Sequence, residues 1–204
     1  MAEVARMTRR EQYTMETRQL IFDTAIEMFA KEGYDAVTVD EICEKTRVGK
    51  STFYNLFKSK DQIIIEEFLK IDSYYQEIIE KIQKKSKSHV EKLLEFMTLT
   101  LKYINDMGIE IMKVSYHSQI GPSLKGSPVA SPQRALYIIL EQAVKEAQEA
   151  GEVRTDKSAA SIAQNLIMFT RGVIYEWCLK NGGFDLLDAG KEYMDIFIDG
   201  IRQH

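Results

Sequence analysis

Apolar side chains recur along this chain at intervals of three and four residues, and no run alternates in polarity for long, so the pattern predicts helices throughout. Ile21, Ala25, Met28 and Phe29 define the first, from about Thr17 to Glu32, with Gly33 where a left-handed C-cap is wanted. Residues 1–13 are polar with no sustained period and read as a flexible arm. Thr38-Val39-Asp40-Glu41 is a capping box, threonine at the N-cap and glutamate at the third helical position, and Val37 and Ile42 suit a hydrophobic staple. That helix lasts to Lys45 or Thr46; Arg47-Val48-Gly49 makes a tight connection, and a second short helix covers Lys50 to Leu56. Two short helices joined by so brief a turn describe a helix-turn-helix.

Ser59 and Gln62 form another capping box, opening a long helix to about Lys84 with Ile64, Phe68, Ile71, Tyr75, Ile78 and Ile82 on one stripe. Its expected span is roughly 35–40 Å, enough to join two domains rigidly. Ser88 with Glu91 caps a helix to about Asn105, and Gly108 precedes one to about Tyr116. His117 to Ser131, containing Pro122 and Pro128, is expected to be irregular, and Pro132 to open a helix that stops at Gly151. The last two helices run from about Asp156 to Lys180 and from Leu186 to Arg202. The fold class is therefore all-α with about nine helices: a three-helix domain over residues 14–60, then a larger helical domain over 61–204.

Composition narrows the classes. Three prolines and eleven glycines are few for a turn-rich sheet protein, which favours helices. No stretch approaches the apolar length of a membrane span, and no apolar run follows Arg6, Arg9 and Arg10, so a soluble cytoplasmic protein is expected. Cys43 and Cys178 are expected as reduced thiols, being too few and too far apart for a disulfide framework or a metal site. The net charge of −4 argues globally against nucleic acid. Locally, Lys45, Arg47, Lys50, Lys58 and Lys60 stand in a window without a single acid, which is what a focused phosphate contact requires.

Enzyme signatures are missing. His89, His117 and His204 have no metal-ligand spacing, so neither metal nor cofactor is expected. Gly49-Lys50-Ser51-Thr52 looks like the end of a phosphate-binding loop, but that motif needs glycine at position 44, which is Glu44.

The segment TRQLIFDTAIEMFAKEGYDAVTVDEICEKTRVGKSTFYNLFKSKDQIIIEEFL, residues 17–69, resembles the DNA-binding domain of the tetracycline-repressor (TetR) family. The match rests on Phe29 with Gly33-Tyr34, the Thr38-Val39 helix start, Ile42, and Lys50-Ser51-Thr52-Phe53-Tyr54 followed by Phe57 and Ser59-Lys60. It implies a regulator without enzymatic activity, most often a repressor, binding double-stranded DNA. The second short helix would enter the major groove, with Lys50, Ser51, Thr52 and Asn55 as candidates for base readout and Phe53 in the core. Tyr54 and Lys60 resemble the family's phosphate-binding pair, and Thr38 offers a helix N-terminus to a phosphate. Arg47 departs from the family, which usually has a small residue at this turn. Either Arg47 is left-handed, at a cost of about 1 kcal/mol that a phosphate contact would offset, or the turn shifts onto Gly49.

The resemblance further implies a small-molecule effector held between helices of the larger domain. Phe96, Met97, Tyr103, Met112, Tyr116, Met168 and Tyr175 are the large adaptable side chains available, although such residues more often simply fill a core. Arg171 interrupts an apolar run, either as an anchor for an anionic ligand group or as partner of Glu176 or Asp195, the second being favoured. Small residues Ala159, Ala160, Ala163 and Gly172, with the stripe Leu187, Met194, Phe197, Ile198 and Ile201, suggest a homodimeric four-helix interface, matching a palindromic operator. Internal packing is the alternative for these stripes. The alternative for the whole chain is a helical adaptor that meets a protein partner rather than DNA.

Overall fold

The structure, a computed structural model, describes residues 8–85, 87–120 and 131–203. Among them ten helices follow in order: α1 (Arg9–Glu32), α2 (Val39–Thr46), α3 (Lys50–Leu56), α4 (Lys60–Leu69), α5 (Ile71–Gln83), α6 (His89–Met107), α7 (Ile109–Ile120), α8 (Ala135–Glu149), α9 (Ala159–Leu179) and α10 (Leu186–Ile201). No strand occurs among the described residues; Val153 and Arg202 form an isolated antiparallel bridge. Nor is any described helix long and apolar enough to cross a membrane. The chain divides into two compact units, with the boundary between Glu67 and Phe68.

In the first unit, Ile21, Ala25, Phe29, Val37, Ile42, Phe53, Phe57, Ile63 and Ile64 are all within 1% of complete burial. Each large member contributes about 1.5–3 kcal/mol by leaving water. Three departures from the expected elements have local causes. Helix α1 begins at Arg9 because Thr8 and Glu11 form a capping box, with the Thr8 side chain accepting from the Glu11 N–H and the Glu11 carboxylate accepting from the Thr8 N–H at 2.7 Å. Residues 9–13 are therefore helical rather than part of an arm, while residues 1–7 lie outside the described residues. The unit also extends past the expected end at residue 60, since Glu66 of α4 accepts from Arg18 of α1 at 2.6 Å through both carboxylate oxygens. Finally, the helix expected to be continuous to Lys84 is interrupted at Lys70, which accounts for the additional helix.

In the second unit the core includes Tyr75, Leu93, Phe96, Met97, Leu140, Val144, Leu166 and Ile174. Helix α6 starts at a full Ser88–Glu91 capping box, as expected, and the Glu152 carboxylate also accepts from the His89 and Val90 N–H groups. Residues 117–120 of the stretch expected to be irregular continue α7; the His117 side chain, residues 121–130 and His204 lie outside the described residues. Pro132 does not open α8. Arg134 is the extended N-cap residue instead, its guanidinium held by Asp72 at 3.0 and 2.8 Å, so the helix starts after it. Helix α9 starts later than expected, at an N-cap formed by Ser158, because Asp156 is taken up by Arg154 at 2.5 and 2.6 Å. Helix α10 crosses α6 closely at Gly190, where an added Cβ would lie 2.2 Å from a methyl of Leu101.

Candidate nucleic-acid interface

The interface is built around one buried ring. Phe53, fully buried, fixes the orientation of α3, and its neighbours Ser51, Thr52, Tyr54 and Asn55 are exposed. A helix of seven residues anchored on one side leaves the rest of its circumference free for a groove. Tyr54 packs edge-on against Phe53 with ring centroids 5.4 Å apart while the residue remains 55% exposed, placing a phenol at the rim of the helix.

The turn before α3 resolves the alternatives at Arg47. Its backbone is left-handed, φ 56° and ψ 33°, whereas Gly49 is extended at φ −68°. The strain therefore falls on the arginine. The Val48 N–H donates to the Cys43 carbonyl at 3.0 Å and the Arg47 N–H to the Glu44 carbonyl at 3.2 Å, closing α2 in a Schellman-type cap. The Arg47 side chain is exposed beside α3.

Lys50 is exposed but pairs with Asp40 at 2.7 Å, a surface pair that solvent and salt screen and that a phosphate can displace. Thr38 is the N-cap of α2, and its hydroxyl and N–H both donate to Glu41, at 2.8 and 2.7 Å. The Glu41 carboxyl is held below the usual range chiefly by the Thr38 N–H. A carboxylate thus already stands beside the helix end where a phosphate was expected.

Lys60 is placed quite differently from the other expected contacts. Its ammonium is half-buried, donating to the carbonyls of Tyr34 and Val37 at 2.7 and 2.8 Å and lying 4.0 Å from the centre of the Tyr34 ring. The Tyr34 hydroxyl donates to Asp61, and burial, with that carboxylate, pushes the phenol well above its ordinary pKa. Two of the three protons of the Lys60 ammonium, expected at this position as a phosphate ligand, are thus engaged by backbone.

The effector candidates of the second unit separate into three groups. Phe96, Met97 and Met112 are core residues, at most 2% exposed. Tyr103, Tyr116 and Arg171 are half-buried: Tyr103 stacks on Tyr74 at 4.4 Å, and the Tyr116 hydroxyl donates to the Arg171 carbonyl at 3.1 Å. Met168 and Tyr175, by contrast, are 60% and 44% exposed on α9. The Arg171 guanidinium donates to the Tyr137 hydroxyl at 3.0 Å, and Glu176, one of its expected partners, pairs instead with Lys180 at 2.9 Å. Glu176 is one turn from Lys180 on the outer face, which is why the shorter pairing is made. Sequence reasoning missed Tyr137 and the pairing of buried Arg134 with half-buried Asp72, since neither lies in a run whose polarity marks it.

The residues expected to form the dimer stripe divide: Ala160 and Gly172 are exposed and Ala159, Leu187 and Phe197 half-buried, whereas the other four turn inward. Met194, Ile198 and Ile201 of α10 and Ala163 of α9 are buried within the unit. The outward face includes Met168, Gly172, Tyr175 and Leu179 on α9 with Tyr193 and Ile196 on α10, and an open groove of about 740 Å³ is lined by Met168, Gly172, Tyr193 and Phe197 among others. No group of acids, histidines and cysteines suited to a metal occurs among the described residues.

Residues 21–66 match the family model described as bacterial regulatory proteins, tetR family. The chain is 32% identical over 181 residues to the biofilm operon icaADBC HTH-type negative transcriptional regulator IcaR of Staphylococcus aureus (strain Newman), covering 89% of this chain and 92% of that protein. The chain belongs to the TetR family. The chain is also 22% identical over 192 residues to the fatty acid metabolism regulator protein of Bacillus subtilis (strain 168), covering 89% of this chain and 94% of that protein. The crystal structure of Thermus thermophilus FadR, a TetR-family transcriptional repressor in complex with lauroyl-CoA, superimposes with a TM-score of 0.71 at 19% identity, covering 90% of this chain and 94% of that one. At that identity the likeness speaks for the fold alone, and this TetR-family chain is accordingly a transcriptional regulator by descent and all-α by architecture.

Proposed function

We propose that this TetR-family regulator acts in the cytoplasm as a homodimeric repressor that binds a palindromic operator and is released by a small, largely apolar ligand. The observation that carries the DNA reading is the exposed set Ser51, Thr52, Tyr54 and Asn55 arranged around buried Phe53. Arg47 and Lys50 add positive charge beside it, and Thr38 marks the start of α2 nearby in sequence. The dimer reading is supported by the exposed apolar face of α9 and α10, where large side chains lie bare on two adjacent helices. A second copy presenting the same face would bury both in a two-fold four-helix arrangement.

The effector reading is supported by the half-buried Tyr103, Tyr116 and Arg171, with core neighbours Phe96, Met97 and Met112. Met168 and Tyr175 belong to the dimer face in this reading. Lauroyl-CoA, bound by a similar protein, makes fatty acyl thioesters the first class to try. Ligand releases DNA only by preferring the form that does not bind it.

The test is selection of binding sites from genomic DNA with the purified protein at fixed salt, followed by footprinting. A protected palindrome, bound at least about tenfold more weakly by Tyr54→Ala, is the expected result. Failure to enrich any site with ligand-free protein would sink the repressor reading in favour of a helical adaptor.

A further inference from the structure

The charge of Lys60 points into the protein, not toward a ligand. Two carbonyls, those of Tyr34 and Val37, accept from its ammonium, and the Tyr34 ring covers it. These groups belong to the turn that leads directly into Thr38, the N-cap of α2, whereas Lys60 is the first residue of α4. The next residue, Asp61, accepts from the Tyr34 hydroxyl. Two adjacent side chains at the start of α4 thus grip one turn by its backbone, its ring and its hydroxyl. No other lysine whose contacts are described in this unit bonds backbone: Lys31 and Lys50 pair with surface carboxylates.

We infer that Lys60 is a positioning residue for DNA recognition rather than a phosphate contact: it ties the entrance of α2 to the start of α4 and so fixes how the helix-turn-helix is presented. The inference rests on the DNA-binding reading above. Moving the ammonium out to a phosphate would strip two carbonyls of their donor and uncover a ring, so the clamp opposes that move. Arginine can still offer a planar pair of donors to two carbonyls, whereas methionine keeps the stem and removes every donor.

Two measurements on the full chain test this, in Lys60→Met and Lys60→Arg. The first is amide hydrogen exchange without DNA. Methionine should accelerate exchange at Val37 and Thr38 by about tenfold relative to amides in the middle of α1, and arginine should restore most of the protection. The second is affinity for the footprinted duplex as a function of salt. Methionine should weaken binding about three- to thirtyfold at every salt concentration, leaving the slope of log K against log salt unchanged. A slope reduced by about one in Lys60→Met, with exchange at Val37 and Thr38 untouched, would mean a lost phosphate contact and overturn the inference. If wild-type protein bound no duplex, the DNA reading would fall by itself, and unchanged exchange in Lys60→Met would separately overturn the clamp.

Discussion

Arg47 shows what one residue can sacrifice. An arginine in the left-handed region pays a steric cost of about 1 kcal/mol that glycine avoids, partly offset by glycine's greater freedom when unfolded. Arg47→Gly should therefore raise the unfolding free energy by up to about 0.5 kcal/mol in urea denaturation while weakening DNA binding and lowering its salt slope by about one. A variant that gained stability and kept its slope would remove Arg47 from the phosphate contacts. The strain was legible from the sequence only as a pair of alternatives, because a turn of three residues can place its left-handed member on either Arg47 or Gly49. The deciding factor is the pair of N–H groups of Arg47 and Val48, which reach back to the carbonyls of Glu44 and Cys43. The surroundings of Lys60 are hidden from sequence for a comparable reason. A lysine in a basic window looks like a phosphate ligand, and nothing local in sequence tells that the Tyr34 and Val37 carbonyls lie within its reach.

At the scale of helices, capping is a chemistry that pH can address. Glu11, Glu41 and Glu91 all accept from the N-cap residue before them, and in each the leading cause of a lowered carboxyl pKa is the N-cap backbone N–H. A pKa lowered in the folded state gives stability that is complete above the unfolded carboxyl's value and lost as pH falls through the folded one. Thermal unfolding midpoints should therefore decline as pH falls below the ordinary glutamate value of 4.5, and Glu91→Gln should flatten part of that decline. An identical pH profile in the variant would deny Glu91 its share. These caps are also what the sequence makes easiest to see: Thr38 with Glu41 and Ser88 with Glu91 were legible from spacing alone. Thr8 with Glu11 carried the same signal and was passed over because the residues around it are polar, although a cap needs no apolar period before the first turn. The interruption at Lys70 had no such marker, since an apolar stripe continues straight through it. A second helix-scale prediction concerns Gly190. Its helix meets α6 with no room for a methyl, so Gly190→Ala should cost about 1–3 kcal/mol in denaturant unfolding by displacing buried Leu101. An unchanged midpoint would mean that Leu101 swings aside freely.

Over the whole molecule, the face left bare by α9 and α10 sets the expected assembly. Ile196 is 60% exposed and Met168 equally so. Ile196→Asp should convert the protein from dimer to monomer in analytical ultracentrifugation and reduce operator affinity by more than about tenfold, because a monomer loses the second half-site. A dimer that survived the substitution would require another interface. Periodicity could find that both helices have apolar stripes, yet it could not say which stripe faces outward. Met194, Ile198 and Ile201 make the more regular series and are the ones turned inward, since burial within one chain and burial between two demand the same spacing.

That bare face has a genetic consequence. Subunits that pair through α9 and α10 do not inspect one another's recognition helices, so a copy carrying Tyr54→Ala would still mate with wild-type protein. Expressed in excess, it should absorb most functional subunits into half-reading pairs and mimic the null phenotype in a cell that retains an intact gene. Adding Ile196→Asp to the same copy should abolish the dominance and leave an innocuous recessive allele.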